Sequence, residues 1–162
     1  LSTEPDRALG IVEQIRSEVQ HAHVELRDLA HGVYPTVLTQ HGLTAAIAAA
    51  ADRSAIEVRL ALNEVGRHHS EIEAAIYFCV SEALQNANRH SAASLIEVSL
   101  DVETDALHFS VVADGTGIDQ RSPAGVGLDN MSDRLGAVGG DLHISAHRSR
   151  GTTVSGSIPL TS

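Results

Sequence analysis

Along the first 34 residues the apolar positions Ala8, Val12, Ile15, Val19, Ala22, Leu26, Leu29 and Val33 are separated alternately by four and three. This spacing keeps one seam on a single side of a long helix, as in a coiled coil or four-helix bundle. A lone helix cannot bury such a seam, so the pattern points to pairing with another helix; the alternative is packing on the rest of the chain. Pro35 cannot continue a helix and drives Tyr34 out of helical backbone, placing a linker near Gly32 to Pro35. The predicted units are therefore 1–34 and 35–162.

Beyond the linker the patterning changes. Leu43 to Ala51 is alanine-rich and reads as a helix, whereas Ile56, Val58, Leu60 and Leu62 alternate with Glu57, Arg59 and Ala61 as in a half-buried strand. Ser70 and Glu73 have the spacing of a capping box for a helix running through Ile72, Ile76, Cys79, Val80 and Ala83 to about His90. Leu95 to Val102 and Leu107 to Val112 read as a hairpin around Glu103, Thr104 and Asp105. Asp114 to Gly127 is glycine-rich and aperiodic, which predicts a mobile loop. Leu128, Met131, Leu135 and Val138 mark a short helix ended by Gly139 and Gly140, and two alternating strands follow near 142–146 and 152–158. Such an order predicts an α+β fold, a helix layer on one face of a mixed, mostly antiparallel sheet.

Charge and composition then narrow the chemistry. The 162 residues carry 21 acidic and 11 basic side chains, a formal net charge of -10, and every basic one is arginine. Without lysine, a phosphate loop ending in Gly-Lys-Ser/Thr and a Schiff-base mechanism are both impossible. The acidic balance, with no basic run, argues against nucleic acid as a partner. Cys79 is the one cysteine, which excludes an intrachain disulfide and a cysteine-rich zinc site. His21, His23, His68 and His69 read as surface residues, because no third ligand has a metal-site spacing. No apolar stretch approaches the ~18 residues of a membrane span, and no secretory signal is present, so a cytoplasmic location is expected. The start at Leu1 suggests a piece of a longer protein, which itself could be membrane-anchored or soluble.

Four features could do chemistry. On the third helix Glu82, Asn86 and Arg89 share a narrow stripe, since at about 100° per residue Asn86 lies roughly 40° to one side of Glu82 and Arg89 roughly 20° to the other. A carboxylate, an amide oxygen and a cation so aligned could hold Mg²⁺ and polyphosphate, or could simply form a solvated face. Asp114-Gly115-Thr116-Gly117 follows a strand, and Gly125-Val126-Gly127-Leu128 precedes a helix whose free N–H groups would suit an anion. Gly151-Thr152-Thr153 opens the last strand, where it could place a hydroxyl on a base or make a tight turn.

Taken in order, these features resemble the N, G1, G2 and G3 boxes of the GHKL ATPase superfamily, above all the ATP-binding domain of bacterial sensor histidine kinases. Glu82 to His90 is similar to the N box, Ala113 to Gly117 to G1, Gly125 to Met131 to G2 and Arg150 to Thr153 to G3. Leu26-Arg-Asp-Leu29 through Tyr34-Pro35-Thr-Val-Leu38, with Gly42-Leu43 following, resembles the junction between dimerisation helices and ATP domain in the nitrate- and lipid-fluidity-sensor subfamily. The resemblance implies a two-layer α/β sandwich of the GHKL type, in which 1–34 is the last helix of the dimerisation region and 35–162 is the catalytic domain. It further implies ATP and Mg²⁺, with Asn86 as metal ligand, Glu82 as the catalytic polar residue, and Arg89 and His90 facing the phosphates. The nucleotide site would add Asp114, Gly115, Gly117, Gly125, Val126, Gly127 and Leu128, with Thr152 near the adenine. The implied partners are the chain's own dimerisation helix, a second copy in the longer protein and a response regulator.

Two departures stand out. The family's G1 box reads Asp-x-Gly-x-Gly, with the first Asp on the adenine amino group; here that position is Ala113, and Asp114 is one residue late. A phosphoacceptor His followed by an acidic residue is absent, since His31 precedes Gly32, so this chain alone should not autophosphorylate. The rival expectations are a degenerate, non-catalytic interaction module of the same fold and an anti-sigma-factor serine kinase, which lacks the heptad helix. A gyrase- or mismatch-repair-type ATPase would need further transducer domains.

Overall fold

The computed structural model describes residues 35–90, 92–115, 126–147 and 151–160. The heptad helix predicted over 1–34, and residues 116–125 of the predicted loop, lie outside them. The chain order is α1 (Thr36–Ala51), β1 (Glu57–Leu62), α2 (Ser70–His90), β2 (Leu95–Glu103), β3 (Ala106–Ala113), α3 (Val126–Ala137), β4 (Asp141–His147) and β5 (Gly151–Pro159).

The five strands form one sheet in the order β1-β2-β3-β5-β4. β1 runs parallel to β2, and the other three pairings are antiparallel. Strand alternation sorts the faces. Ile96, Val98 and Leu100 of β2, Leu107, Phe109, Val111 and Ala113 of β3, and Val154 and Ile158 of β5 are buried in the core, where Ile47 of α1, Ile76 and Val80 of α2, and Met131 and Leu135 of α3 join them. Each fully buried Leu, Ile or Val contributes about 1.5–3 kcal/mol of transfer free energy, and with two Phe, two Tyr and no Trp in the chain, the aliphatic side chains supply most of it. The opposite face carries Glu97, Ser99, Asp101, His108, Ser110, Ser155 and Ser157 at exposed or half-exposed positions.

Several boundaries differ from the expectation for physical reasons. α1 starts seven residues before the predicted Leu43, but it is broken at Gly42, whose φ of 82° and ψ of -177° are not helical. The expected alanine-rich helix is the part after that break. β1 buries less than predicted: Val58 and Leu62 are half-buried and Leu60 is 41 % exposed, because an edge strand has a neighbour on one side only.

The predicted capping box is replaced. The first helical bonds of α2 run from the N–H groups of Ile72 and Glu73 to the carbonyl of His69, so the helix enters one residue earlier than Ser70. Glu73, 2 % exposed, instead accepts bonds from the His68 N–H (3.0 Å) and from Arg67 Nε and Nη2 (2.9 and 3.2 Å). Arg67 also donates to the Thr39 carbonyl through both Nη atoms (3.3 Å each), tying the turn after Pro35 to the head of α2.

The β2–β3 hairpin turns on two residues, Thr104 and Asp105, at φ 49° and 59°. Two consecutive positive φ values match the right-handed strand twist. Gly139 (φ 76°) and Gly140, whose N–H reaches the Leu135 carbonyl at 2.9 Å, end α3 as expected.

Candidate functional site

α2 carries Glu82, Asn86, Arg89 and His90 because its pattern leaves one polar stripe along a buried helix. Ala83, Leu84 and Ala87 are buried, Glu82 and Asn86 beside them are half-buried, and Arg89 is exposed. Glu82 and Asn86 thus lie at the rim of the core, and neither side chain makes a hydrogen bond among the described residues. His90 closes the helix.

α3 docks along the same side of α2. The Cys79 thiol donates to the Met131 carbonyl (3.7 Å), and the Arg134 guanidinium lies 4.8 Å from the Phe78 ring centre. Burial pushes the Cys79 thiol up to about 12, with Glu82 adding to the rise and Arg134 opposing it. At the start of α3 the backbone of Gly127 faces the Glu82 carboxylate so closely that a β-carbon there would overlap Oε1 and lie 3.2 Å from Cδ. The N-box-like and G2-like segments are therefore in contact through Glu82 and Gly127. Leu128, half-buried, packs on the core.

The second cluster joins the ends of β3 and β5. Ala113 and Thr152 are Cα partners across the sheet, both buried (3 % and 9 % exposed). Gly151 has φ 81°, and a β-carbon on it would run into the Ala113 carbonyl, so this position requires glycine. Thr152 Oγ1 is buried and has no hydrogen-bond partner among the described residues. Such an orphan hydroxyl costs about 1–3 kcal/mol unless something else satisfies it, which marks it as a place for a polar ligand atom.

Asp114 is engaged elsewhere. Its Oδ1 accepts from the N–H groups of Ser94 (2.7 Å) and Leu95 (3.0 Å), and its Oδ2 from the Ser94 hydroxyl (2.7 Å). The Leu95 bond first, then those of Ser94, hold its carboxyl below the ordinary value of 3.8. Gly115 follows it, half-buried; Gly117 and Gly125 lie outside the described residues, and so does the side chain of Val126.

Sequence reasoning missed the Arg67–Glu73–Thr39 clamp and the Ser94–Asp114 brace. The clamp had a signal, since Glu73 occupies the buried arc of α2 with Ile76 and Val80, and a carboxylate there needs a cation. Ser94 had none, because only the strand register brings it to Asp114. Among the described residues no cluster of three or more His, Cys, Asp or Glu side chains could hold a metal, and no helix is long and apolar enough to cross a membrane.

Comparison with known proteins bears on what these clusters serve. The chain is 30% identical over 167 residues to the sensor histidine kinase MctS of Rhizobium johnstonii, covering 97% of this chain and 36% of that protein. It is 29% identical to the oxygen sensor histidine kinase NreB of Staphylococcus carnosus, covering 96% and 45%. The chain thus spans less than half the length of these curated relatives. Among solved structures, a blue-light activated histidine kinase of Erythrobacter litoralis matches with a TM-score of 0.64 at 22% identity, over 99% of this chain and 61% of that one. The histidine kinase domain of the same light-activated protein matches at 0.60 and 25% identity, over 72% and 57%. These likenesses agree with the mixed five-stranded sheet and its helix layer. The sequence model of one family, described as histidine kinase-, DNA gyrase B- and HSP90-like ATPases, matches residues 71–162, which hold both clusters, and the chain belongs to that family.

Proposed function

We propose that this chain is the ATP-binding catalytic part of a sensor histidine kinase, with 35–162 as the catalytic domain and 1–34 as the last helix of the dimerisation region. In the longer protein it donates the γ-phosphoryl group of Mg-ATP to a histidine on another dimerisation helix, for relay to a response regulator, and works as a homodimer on the cytoplasmic side. The observation that carries this reading is the family match over 71–162, together with relatives over nearly the whole chain that are themselves named sensor histidine kinases.

The residues present fit the groups this reading requires. Thr152 Oγ1 is a buried hydroxyl, unpartnered among the described residues and suited to a base, and Asn86 and Glu82 offer hard oxygens at the rim of α2. Asn86 holds the metal, Glu82 supports transfer, and Arg89 and His90 meet phosphate charge. The glycines at 115, 117, 125 and 127, with Val126 and Leu128, form the phosphate-facing backbone. Magnesium, when bound, neutralises charge on the phosphates; phosphoryl transfer otherwise needs positioning and electrostatic stabilisation, which amides and arginine supply without lysine.

A second reading, a degenerate module that binds partners but not nucleotide, draws on Ala113 and on Asp114 being tied to Ser94 and Leu95. Asp114 would have to leave three hydrogen bonds to contact a base. Calorimetric titration with ATP, with and without Mg²⁺ and with GTP for comparison, separates the readings. Saturable, Mg²⁺-dependent ATP binding is expected; absence of binding both in the chain and in Ala113→Asp would overturn the ATP-site reading.

A further inference from the structure

Gly127 is the second residue of α3, where glycine is the poorest helix former after proline. Its φ is not in the left-handed region, unlike those of Gly42, Gly66, Gly139 and Gly151, so backbone conformation does not call for it. What calls for it is space: a β-carbon at this position would overlap Glu82 Oε1 and lie 3.2 and 3.5 Å from Glu82 Cδ and Cγ.

We propose that Gly127 is a positioning residue for Glu82: by carrying no side chain, it leaves the volume in which the Glu82 carboxylate rests against the start of α3. The proposal rests on the reading of Glu82 as the residue that supports phosphoryl transfer.

The rest of the helix pair decides which partner yields when that volume is filled. Gly127, Met131 and Arg134 are spaced four and three apart on one side of α3, and they face Glu82, Cys79 and Phe78 of α2. Met131 and Leu135 are almost fully buried, so α3 cannot back away without opening the core. The Glu82 carboxylate is the far end of a flexible side chain at the rim, and it can swing. An added methyl group therefore displaces the carboxylate and leaves the fold nearly undisturbed. Alanine keeps the backbone N–H, so a role confined to presenting that amide to an anion survives the substitution, and only the side-chain volume is lost.

Two measurements on Gly127→Ala test the proposal. In the 162-residue chain, the Glu82 Cδ resonance is followed by carbon-detected NMR against wild type, alongside the melting temperature. We expect a displaced resonance with a melting temperature within a few degrees of wild type. In the longer protein bearing the acceptor histidine, phosphohistidine formation at saturating Mg-ATP should fall at least tenfold in Gly127→Ala, while in a Glu82→Ala background the same change should alter the rate less than twofold. An unmoved Glu82 resonance, or an equal loss in the Glu82→Ala background, would overturn the proposal. If the wild-type longer protein forms no phosphohistidine, the functional reading fails, and the NMR comparison still decides whether Gly127 sets the Glu82 carboxylate.

Discussion

Replacing Arg67 with alanine should destabilise the protein far more than its exposed position suggests. The Arg67 side chain is 56% exposed, but its partner Glu73 is 2% exposed and takes two of its three hydrogen bonds from that guanidinium. Removing one member of a buried pair strands the other charge, which costs about 3–5 kcal/mol where both are enclosed. Here water can follow into the space of the half-exposed arginine, so the expected cost is about 2–3 kcal/mol. For a chain of this size that lowers the melting temperature by about 5–10 °C. Urea unfolding at pH 7, followed by circular dichroism, reads the change as a shift in midpoint at constant slope. Two controls give the number meaning. Arg59→Ala, which breaks the exposed Arg59–Glu57 pair (3.4 Å), should cost less than about 0.5 kcal/mol. In a Glu73→Leu background, where no carboxylate is left to strand, Arg67→Ala should cost less than about 1 kcal/mol. A cost for Arg67→Ala near that of Arg59→Ala, or one unchanged by Glu73→Leu, refutes the reasoning.

Other perturbations have equally defined outcomes. The Asp114 carboxyl titrates lower in the folded chain than in the unfolded one, so its contribution is present above the ordinary value of 3.8 and is lost as pH falls through the depressed folded value. Asp114→Ala should thus lower the urea midpoint at pH 7, with the gap to wild type closing in acid; a gap constant down to pH 2 contradicts the bond assignment. Cys79, buried and with its thiol pushed up to about 12, should resist alkylation by iodoacetamide at pH 8 in the native protein and react at once in urea, as mass spectrometry would record. Gly151→Ala must adopt φ near 81° and press on the Ala113 carbonyl, so a loss of at least about 2 kcal/mol is expected in the same unfolding assay, and a neutral effect would be inconsistent with the β3–β5 junction.

Much of the fold was legible because hydrophobic period and punctuation agreed. The alternation of Leu95 to Val102 and of Leu107 to Val112, the helical arc through Ile76, Cys79 and Ala83, and the paired glycines at 139 and 140 each predicted an element that the structure contains. Boundaries failed where a long-range contact outweighed a local signal. Ser70 and Glu73 have capping-box spacing, but the Arg67 guanidinium and the buried surroundings of Glu73 took the carboxylate, and the helix entry moved to His69. The positive φ at Gly42 was likewise illegible, since its neighbour there is the Arg67 side chain from 25 positions later. At the candidate site the stripe of Glu82, Asn86 and Arg89 followed from helical spacing alone. The contact of Glu82 with Gly127 did not, because it depends on how α3 lies against α2.

The two-residue turn at Thr104 and Asp105 bears on the order in which the molecule assembles. It joins β2 to β3 with almost no chain to close, whereas β1 meets β2 only after the 32 residues between Leu62 and Leu95 have folded back, and β5 meets β3 only after the whole of α3 and β4. Loop-closure entropy therefore favours the two local hairpins, β2–β3 and β4–β5, as the earliest pairings, with β1 and the β3–β5 junction added later. The Ala113–Thr152 contact belongs to the last of these steps, so the candidate base-binding end of the sheet takes shape only when nearly all the chain has been placed.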